Sequence, residues 1–335
     1  MSSQPRLRRT LGRVGVVAAI ATFALIILGG VVRITGSGMG CGDDWPLCNG
    51  HLIPPMDLPT LIEYSHRLAA LLVSAFVVAV LVLALAVARR EGSGEARSGT
   101  SGGGPRLVRL GVLGVVLLVV QILLGAVTVW LELPPTTVIL HLGTAMLLLA
   151  TLIVGASEVY APGRRALDDR TASLTLWTAV AALVVVVLGG LTANLHAGFA
   201  CQGFPLCNGS LMPAGGPLVH THWTHRLAAY ALAAWCFVLP MILHRDRANA
   251  YAVRRTSTLA AAVVLVQLVV GAAMVLTNLD SSLRAAHVGL GAAVFVTLVR
   301  LAWVARYAVP DADQSVRAVS LKEMGSTGPG WPEFN

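Results

Sequence analysis

The chain has 335 residues, of which 56% are hydrophobic and 12% charged, and its mean hydropathy is +0.76. Soluble domains carry about 25% charged residues, so this composition excludes a soluble globular enzyme, a disordered protein and a disulfide-rich secreted module. The formal net charge of +8 would suit a nucleic-acid partner, but the placement of the arginines explains it without one. What remains is a multi-pass helical membrane protein with the lipid bilayer as its surroundings.

A hydrocarbon core about 30 Å thick accommodates about 20 apolar residues in a helix. In chain order, eight such stretches run over residues 14–34, 63–88, 108–130, 137–157, 172–194, 220–243, 257–277 and 284–305. They are nearly continuous in Leu, Val and Ala, as lipid requires where no water can satisfy a free backbone group. A short turn at Pro134–Pro135 makes the third and fourth spans a helical hairpin, and Asn278–Ser281 does the same for the seventh and eighth. The predicted fold class is all-α: a polytopic membrane protein of eight transmembrane helices in two tandem pseudo-symmetric four-helix bundles.

Basic residues in short loops set orientation. Arg6, Arg8, Arg9 and Arg13 precede the first span; Arg89, Arg90, Arg97, Arg106 and Arg109 lie between the second and third. Arg164, Arg165 and Arg170 follow the fourth, and Arg245, Arg247, Arg254 and Arg255 follow the sixth. Arg300, Arg306, Arg317 and Lys322 close the chain, so twenty of the 24 basic residues fall on one side, together with both termini. That side is predicted to be cytoplasmic, in a cell (plasma) membrane. The first span carries no small-residue cleavage signal and reads as retained. The expected organisation is a cytoplasmic N-terminus (1–13), an N-terminal bundle (14–157), a C-terminal bundle (172–305) and a cytoplasmic tail (306–335). Within the first bundle, residues 91–105 have the Gly/Ser composition of a flexible linker.

The two halves repeat each other. Gly29-Gly30, Cys41 and Pro46-Leu47-Cys48-Asn49-Gly50 return as Gly189-Gly190, Cys201 and Pro205-Leu206-Cys207-Asn208-Gly209. His66-Arg67-Leu68-Ala69-Ala70 returns as His225-Arg226-Leu227-Ala228-Ala229. Gln121, Gly125 and His141-Leu142-Gly143 return as Gln267, Gly271 and His287-Val288-Gly289. The offsets are 160, 159 and 146, each constant over its block. An even number of spans per half makes these parallel repeats about an axis along the membrane normal.

Of nine histidines, only His66, His141, His225 and His287 recur in this frame. Each lies a few residues into a span entered from the outer face, so all four share one depth, in two pairs. Polar side chains in lipid are costly and mark function. A bare zinc or copper ion wants three or four converging ligands, whereas a haem brings four of its own and needs two axial imidazoles. The pairs therefore point to haem iron, with His66 and His141 on one site and His225 and His287 on the other. His51, His196, His244, His220 and His222 read as loop or interface residues, although His222 stays a secondary candidate because it occupies the repeat position of Glu63.

Glu63 is three residues before His66, on the same helix face. It is either a solvated helix-start carboxylate or a carboxylate held against a haem edge. The difference between Glu63 and His222 suggests that one bundle performs chemistry and the other transfers electrons. Arg67 and Arg226 each follow a ligand histidine, placed either to pair with haem propionates or to snorkel to headgroups. Cys41 with Cys48, and Cys201 with Cys207, share outer loops on the oxidising side, where a disulfide would brace the loop; a redox role is the other reading. Cys236 reads as a small core residue.

Taken together, the two four-helix repeats, Glu63-x-x-His66-Arg67, His141, His222-x-x-His225-Arg226, His287 and the paired cysteines resemble the haem A synthase family over about residues 14–305. The resemblance implies oxidation of the C8 methyl of haem O to a formyl group, giving haem A for terminal oxidases. It implies haem b on His225 and His287, with substrate haem O near His66, His141 and Glu63. Glu63 is the expected catalytic carboxylate, stabilising positive charge beside the methyl and accepting a proton. Haem O synthase and terminal oxidase assembly factors are the partners implied, with a quinone or another acceptor for the electrons. The competing expectation is a di-haem b-type cytochrome that carries electrons without modifying haem.

Overall fold

A computed structural model describes residues 3–55, 57–92, 103–160, 169–245 and 251–307. Most of the linker expected at 91–105, and the tail from 308, lie outside the described residues. Eight helices follow in order: α1 Ser3–Ile34, α2 Leu58–Gly92, α3 Gly104–Trp130, α4 Pro135–Tyr160, α5 Asp169–Asn194, α6 Pro217–Arg245, α7 Tyr251–Leu276 and α8 Ser281–Tyr307. Each contains one expected span, except that α7 ends one residue short of the seventh, and all eight are long and apolar enough to cross a membrane. The protein is a multi-pass membrane protein. Their outward faces carry exposed Leu, Val and Ile such as Ile20, Leu71, Leu123 and Val269, as lipid in place of water permits.

Helices α1–α4 pack as one bundle and α5–α8 as the other, joined through α1, α4, α5 and α8. The joint obeys the repeat. A Cβ on Gly30 of α1 would stand 3.0 Å from Val288 of α8, and one on Gly190 of α5 would stand 2.8 Å from Leu142 of α4. Gly289 meets Ile27, and Gly143 meets Val187, in the same reciprocal way. Small residues let backbones approach where lipid offers no hydrophobic drive. Because Leu142 and Val288 each follow a repeat histidine, the contact that joins the bundles also fixes the turns carrying those histidines.

The α3–α4 and α7–α8 hairpins are built alike. Glu132 and Leu133 take positive φ (56° and 59°), as do Asn278 and Leu279 (54° and 64°). The Leu133 N–H donates to Thr128 O and the Leu279 N–H to Met274 O, both at 2.8 Å, closing each helix with a left-handed cap. A left-handed leucine is strained, and packing offsets the cost: Leu133 lies against Gly38, and Leu279 against Gly198, too close for a Cβ at either glycine. Asp280 caps α8 through the Ser282 and Leu283 N–H groups at 3.0 and 3.1 Å. The Ser282 hydroxyl is the largest of the interactions that hold this carboxyl below its usual range.

Glu91, placed by composition at the edge of the linker, belongs to the end of α2. It accepts the Gly104 N–H at the start of α3 (2.9 Å) and pairs with Arg8 of α1 at 3.3 Å. At the same end of the molecule Glu158 receives Arg106 (3.4 Å) and the Trp303 indole (3.4 Å), tying α3 and α4 to α8.

Candidate functional site

The four repeat histidines sit at matched heights. His66 and His225 lie eight residues into α2 and α6, and His141 and His287 six residues into α4 and α8. Each ring rests on a glycine five residues from the end of the preceding helix. A Cβ built on Gly29, Gly125, Gly189 or Gly271 would meet the imidazole Cε1 of His66, His141, His225 or His287 at 3.1, 3.3, 2.9 and 3.1 Å. Any larger residue would push the ring out of place. Glycine costs about 1 kcal/mol relative to alanine inside a helix, a cost incurred here four times at equivalent positions.

Each ring is half-buried, yet its Nδ1 is fully covered and makes no hydrogen bond. The backbone of Gln121 lies beside His141 and that of Val185 beside His225, close enough to act on the ring but outside hydrogen-bond geometry at Nδ1. Four orphaned buried nitrogens on four repeat positions are unusual, since buried polar atoms are otherwise paired. The Gln267 side-chain amide donates to His287 Nε2 at 3.3 Å and to its carbonyl at 3.2 Å. Gln121 and Gln267 both keep a buried carbonyl oxygen without a partner. Among the described residues no three His, Cys, Asp or Glu side chains gather as a metal-ion site. Two imidazoles per bundle, seated on glycine with no third ligand, fit a planar group that supplies its remaining donors.

Above these rings lie the cysteine loops. Cys41–Cys48 and Cys201–Cys207 are disulfides with Cα separations of 4.3 and 4.7 Å. Each loop ends in a two-residue hairpin. Asn49-Gly50 and Asn208-Gly209 take positive φ, the type I′ conformation this dipeptide favours, and Cys48 pairs with His51 as Cys207 does with Ser210.

The arginines are loop-holders. Arg67 donates to the carbonyls of Asp44 (2.9 Å) and Leu47 (2.5 Å). Arg226 donates to Cys201 (2.7 Å), Gly203 (2.8 Å) and Leu206 (2.9 Å). One guanidinium fork thus grips each disulfide loop from the helix below. Glu63, 4% exposed, takes Arg67 on Oε1 at 2.6 Å and the Cys41 N–H on Oε2 at 2.8 Å.

His222 departs from its sequence reading as a half-solvated interface residue. It is 4% exposed, because the loop folds back over the start of α6. The Arg226 Nε–H donates to its Nε2 at 3.1 Å, which leaves the proton on Nδ1 to donate to Ala197 O at 3.0 Å. Glu63 and His222 therefore hold the same post, each joining a loop backbone to the arginine four residues on. In the first bundle that post is a carboxylate that accepts from the loop. In the second it is a neutral imidazole that donates to it. His51, His196, His220 and His244 stay exposed, apart from the repeat rings.

The family model of COX15-CtaA, described as cytochrome oxidase assembly protein, matches residues 12–299. The chain belongs to this family. A haem A synthase of Bacillus licheniformis is 30% identical over 90% of this chain and 98% of its own length. Others, from Geobacillus thermodenitrificans (31%, covering 84% of this chain and 87% of the relative) and Symbiobacterium thermophilum (32%, 82% and 88%), align almost as fully. The match covers both bundles of this family member and all four repeat histidines.

Proposed function

We propose that this protein is a haem A synthase, converting the C8 methyl of haem O into the formyl group of haem A, with haem b as its resident electron-transfer cofactor. The observation that carries this reading is the twice-repeated pair of imidazoles, each ring seated on a helix glycine with a covered, unpartnered Nδ1. Imidazoles held this way are oriented in advance, with the Nε2 edge of His66, His141 and His225 left to bind iron and that of His287 reached by the Gln267 amide at 3.3 Å, a contact that iron would replace. His225 and His287 would hold haem b, and His66 and His141 the substrate. When bound, haem b supplies one-electron transfer.

Converting a methyl and one water into a formyl releases four protons and four electrons, and the electrons require an external acceptor such as a quinone. Positive charge develops beside the methyl carbon as electrons leave. Glu63, one helical turn from His66 and on the loop side of it, is the one acidic side chain among the described residues held at that height beside a repeat histidine. Its carboxylate stabilises that charge and accepts a proton. Arg67 and the Cys41 N–H fix its direction. His222 at the equivalent post bears no negative charge, which suits a bundle that only passes electrons. Arg67 and Arg226 hold the disulfide loops, and their remaining guanidinium N–H groups would be available to the propionates of a bound haem. The basic end of the bundles is placed at the cytoplasm and the cysteine loops at the outer face.

The test is Glu63→Gln. Glutamine keeps an acceptor for the Cys41 N–H and loses the charge. Purified from cells that make haem O, the variant should retain bound haem while its haem A yield falls by at least tenfold. Normal haem A from this variant would remove Glu63 from the mechanism. Absence of formylated haem from wild-type protein supplied with haem O would favour the electron-carrying cytochrome instead.

A further inference from the structure

Four arginines lie at the end of the bundles that carries the cysteine loops: Arg33, Arg67, Arg226 and Arg284. Arg67 and Arg226 repeat each other and spend most of their donors on loop carbonyls. Arg33 and Arg284 do neither. Arg33 is the penultimate residue of α1 and Arg284 the fourth of α8, and both are half-buried. They flank one contact of the joint between the bundles, where Gly30 of α1 meets Val288 of α8. Arg33 lies three residues outward of Gly30, and Arg284 four outward of Val288, so their backbones rise about 4.5 and about 6 Å above that contact.

Arg33 comes from the first bundle but is held by the second. Its Nε–H donates to Asn194 Oδ1 at 2.7 Å, and the Asn194 amide donates in turn to Gly190 O at 2.8 Å on α5. Asn194 is buried, at 6% exposure. Among the described residues, neither the terminal amino groups of Arg33 nor the guanidinium of Arg284 finds a hydrogen-bond acceptor, and neither side chain meets a carboxylate at ion-pair distance. Asp280, four residues before Arg284, is turned to the first backbone N–H groups of α8. Like charges set together away from bulk water repel. The joint does not need them in order to pack: at the reciprocal contact, Gly190 against Leu142, the corresponding positions are Ala193 and Val138. Two cations with no anion, on one side only of a symmetric joint, mark a place for a negatively charged group.

That place belongs to the second bundle. Arg284 is three residues before His287 on one face of α8, and Asn194 is five residues beyond Gly189, the seat of His225. The polar set thus stands about one turn outward of both imidazoles. A haem carries two propionates, and the cost of charge in hydrocarbon turns that edge outward. We infer that Arg33 and Arg284 together receive a propionate carboxylate of the haem on His225 and His287, so that the first bundle supplies part of the second bundle's site. This rests on reading the second bundle as the haem b site. Guanidinium N–H pairs match the two oxygens of a carboxylate, and the carboxylate supplies the missing anion between two like charges. Loading this haem therefore fastens α1 to α5 and α8.

The experiment is absorbance titration of purified full-length protein with protohaem and with its dimethyl ester, which has no propionate charge. It uses the His66→Ala variant, so that only the second bundle binds, in nanodiscs of neutral phosphatidylcholine. With both arginines present the acid should bind about tenfold tighter than the ester. Arg33→Gln or Arg284→Gln should weaken protohaem binding about tenfold while changing ester binding less than twofold. Arg284→Val installs the residue of the reciprocal contact, should act as Arg284→Gln does, and decides the matter if the glutamine variants do not fold. Equal losses for acid and ester, or no loss of either, would overturn the propionate assignment. Were the pair a seat for anionic lipid headgroups instead, these variants would leave both pigments alone and lose co-purifying phosphatidylglycerol. Binding of neither pigment while the arginines are intact would instead overturn the placement of haem on His225 and His287.

Discussion

Replacing Gly189 by alanine puts a methyl against the His225 ring. The new Cβ would lie 2.9 Å from Cε1, 3.4 Å from Nε2 and 3.5 Å from Nδ1. Ordinary contact begins near 3.4 Å, so the ring has to retreat by about 0.5 Å. Overpacking of this kind costs about 1–3 kcal/mol, which corresponds to about a five- to 150-fold weaker grip on haem b. The helix itself gains, because alanine exceeds glycine in propensity by about 1 kcal/mol. Without haem the His225 ring can turn aside and relieve the contact, so thermal stability should hold while haem binding falls, a separation that general misfolding does not produce. Titration of haem-depleted protein, followed by absorbance, measures the first, and circular dichroism on heating the second. The four seats also predict a ranking: Gly189→Ala most disruptive, Gly29→Ala and Gly271→Ala next at 3.1 Å, Gly125→Ala least at 3.3 Å. Wild-type haem affinity in Gly189→Ala would refute the idea that these glycines position the rings.

Other consequences follow from the loops and caps. Opening the Cys201–Cys207 disulfide with serine at both positions should lower stability by about 2 kcal/mol, the chain-entropy value for so short a loop, read as a fall in Tm that is larger before than after addition of reductant. Arg226→Lys should not rescue Arg226→Gln: one ammonium cannot span the carbonyls of Cys201, Gly203 and Leu206 and also reach His222, and each carbonyl left buried and unpaired costs about 1–3 kcal/mol. Hydrogen exchange over residues 200–208 should rise equally in the two variants. The Asp280 carboxyl is held below its usual range by the Ser282 hydroxyl and the α8 backbone. Its capping contribution is therefore complete above the unfolded carboxylate value of about 3.9 and lost as pH falls through the lower folded value. Exchange at the first turn of α8 should accelerate in that acid window, and Asp280→Ala should abolish the pH dependence.

The spans were legible because lipid asks for a continuous apolar run, which needs no knowledge of facing. The repeat was legible because two copies of one frame restrict each other, and it gave the histidine heights without coordinates. What a histidine ring rests on is a different kind of fact. Gly125 and Gly271 are visible in the repeat, but their task depends on which face of α3 and α7 turns toward α4 and α8. His222 is the clearest miss. Position at a helix start suggests solvation, and only the loop returning over α6 buries it between Arg226 and Ala197. The signal was present in its alignment with Glu63, since both stand four residues before an arginine. The loop-holding work of Arg67 and Arg226 was hidden for the same reason: a carbonyl acceptor belongs to the backbone and leaves no mark on residue type.

The central claim is that each bundle clasps its own haem between two imidazoles. It is tested most directly by extracting pigment from purified wild type and from His66→Ala, His141→Ala, His225→Ala and His287→Ala, each produced in cells that make haem O. Chromatography with mass detection should show haem b missing only from the last two and haem O missing only from the first two, with the oxidised product missing from all four because the last two lack the haem that passes electrons. Loss of haem b from His66→Ala or His141→Ala, with His225→Ala and His287→Ala unaffected, would contradict the assignment.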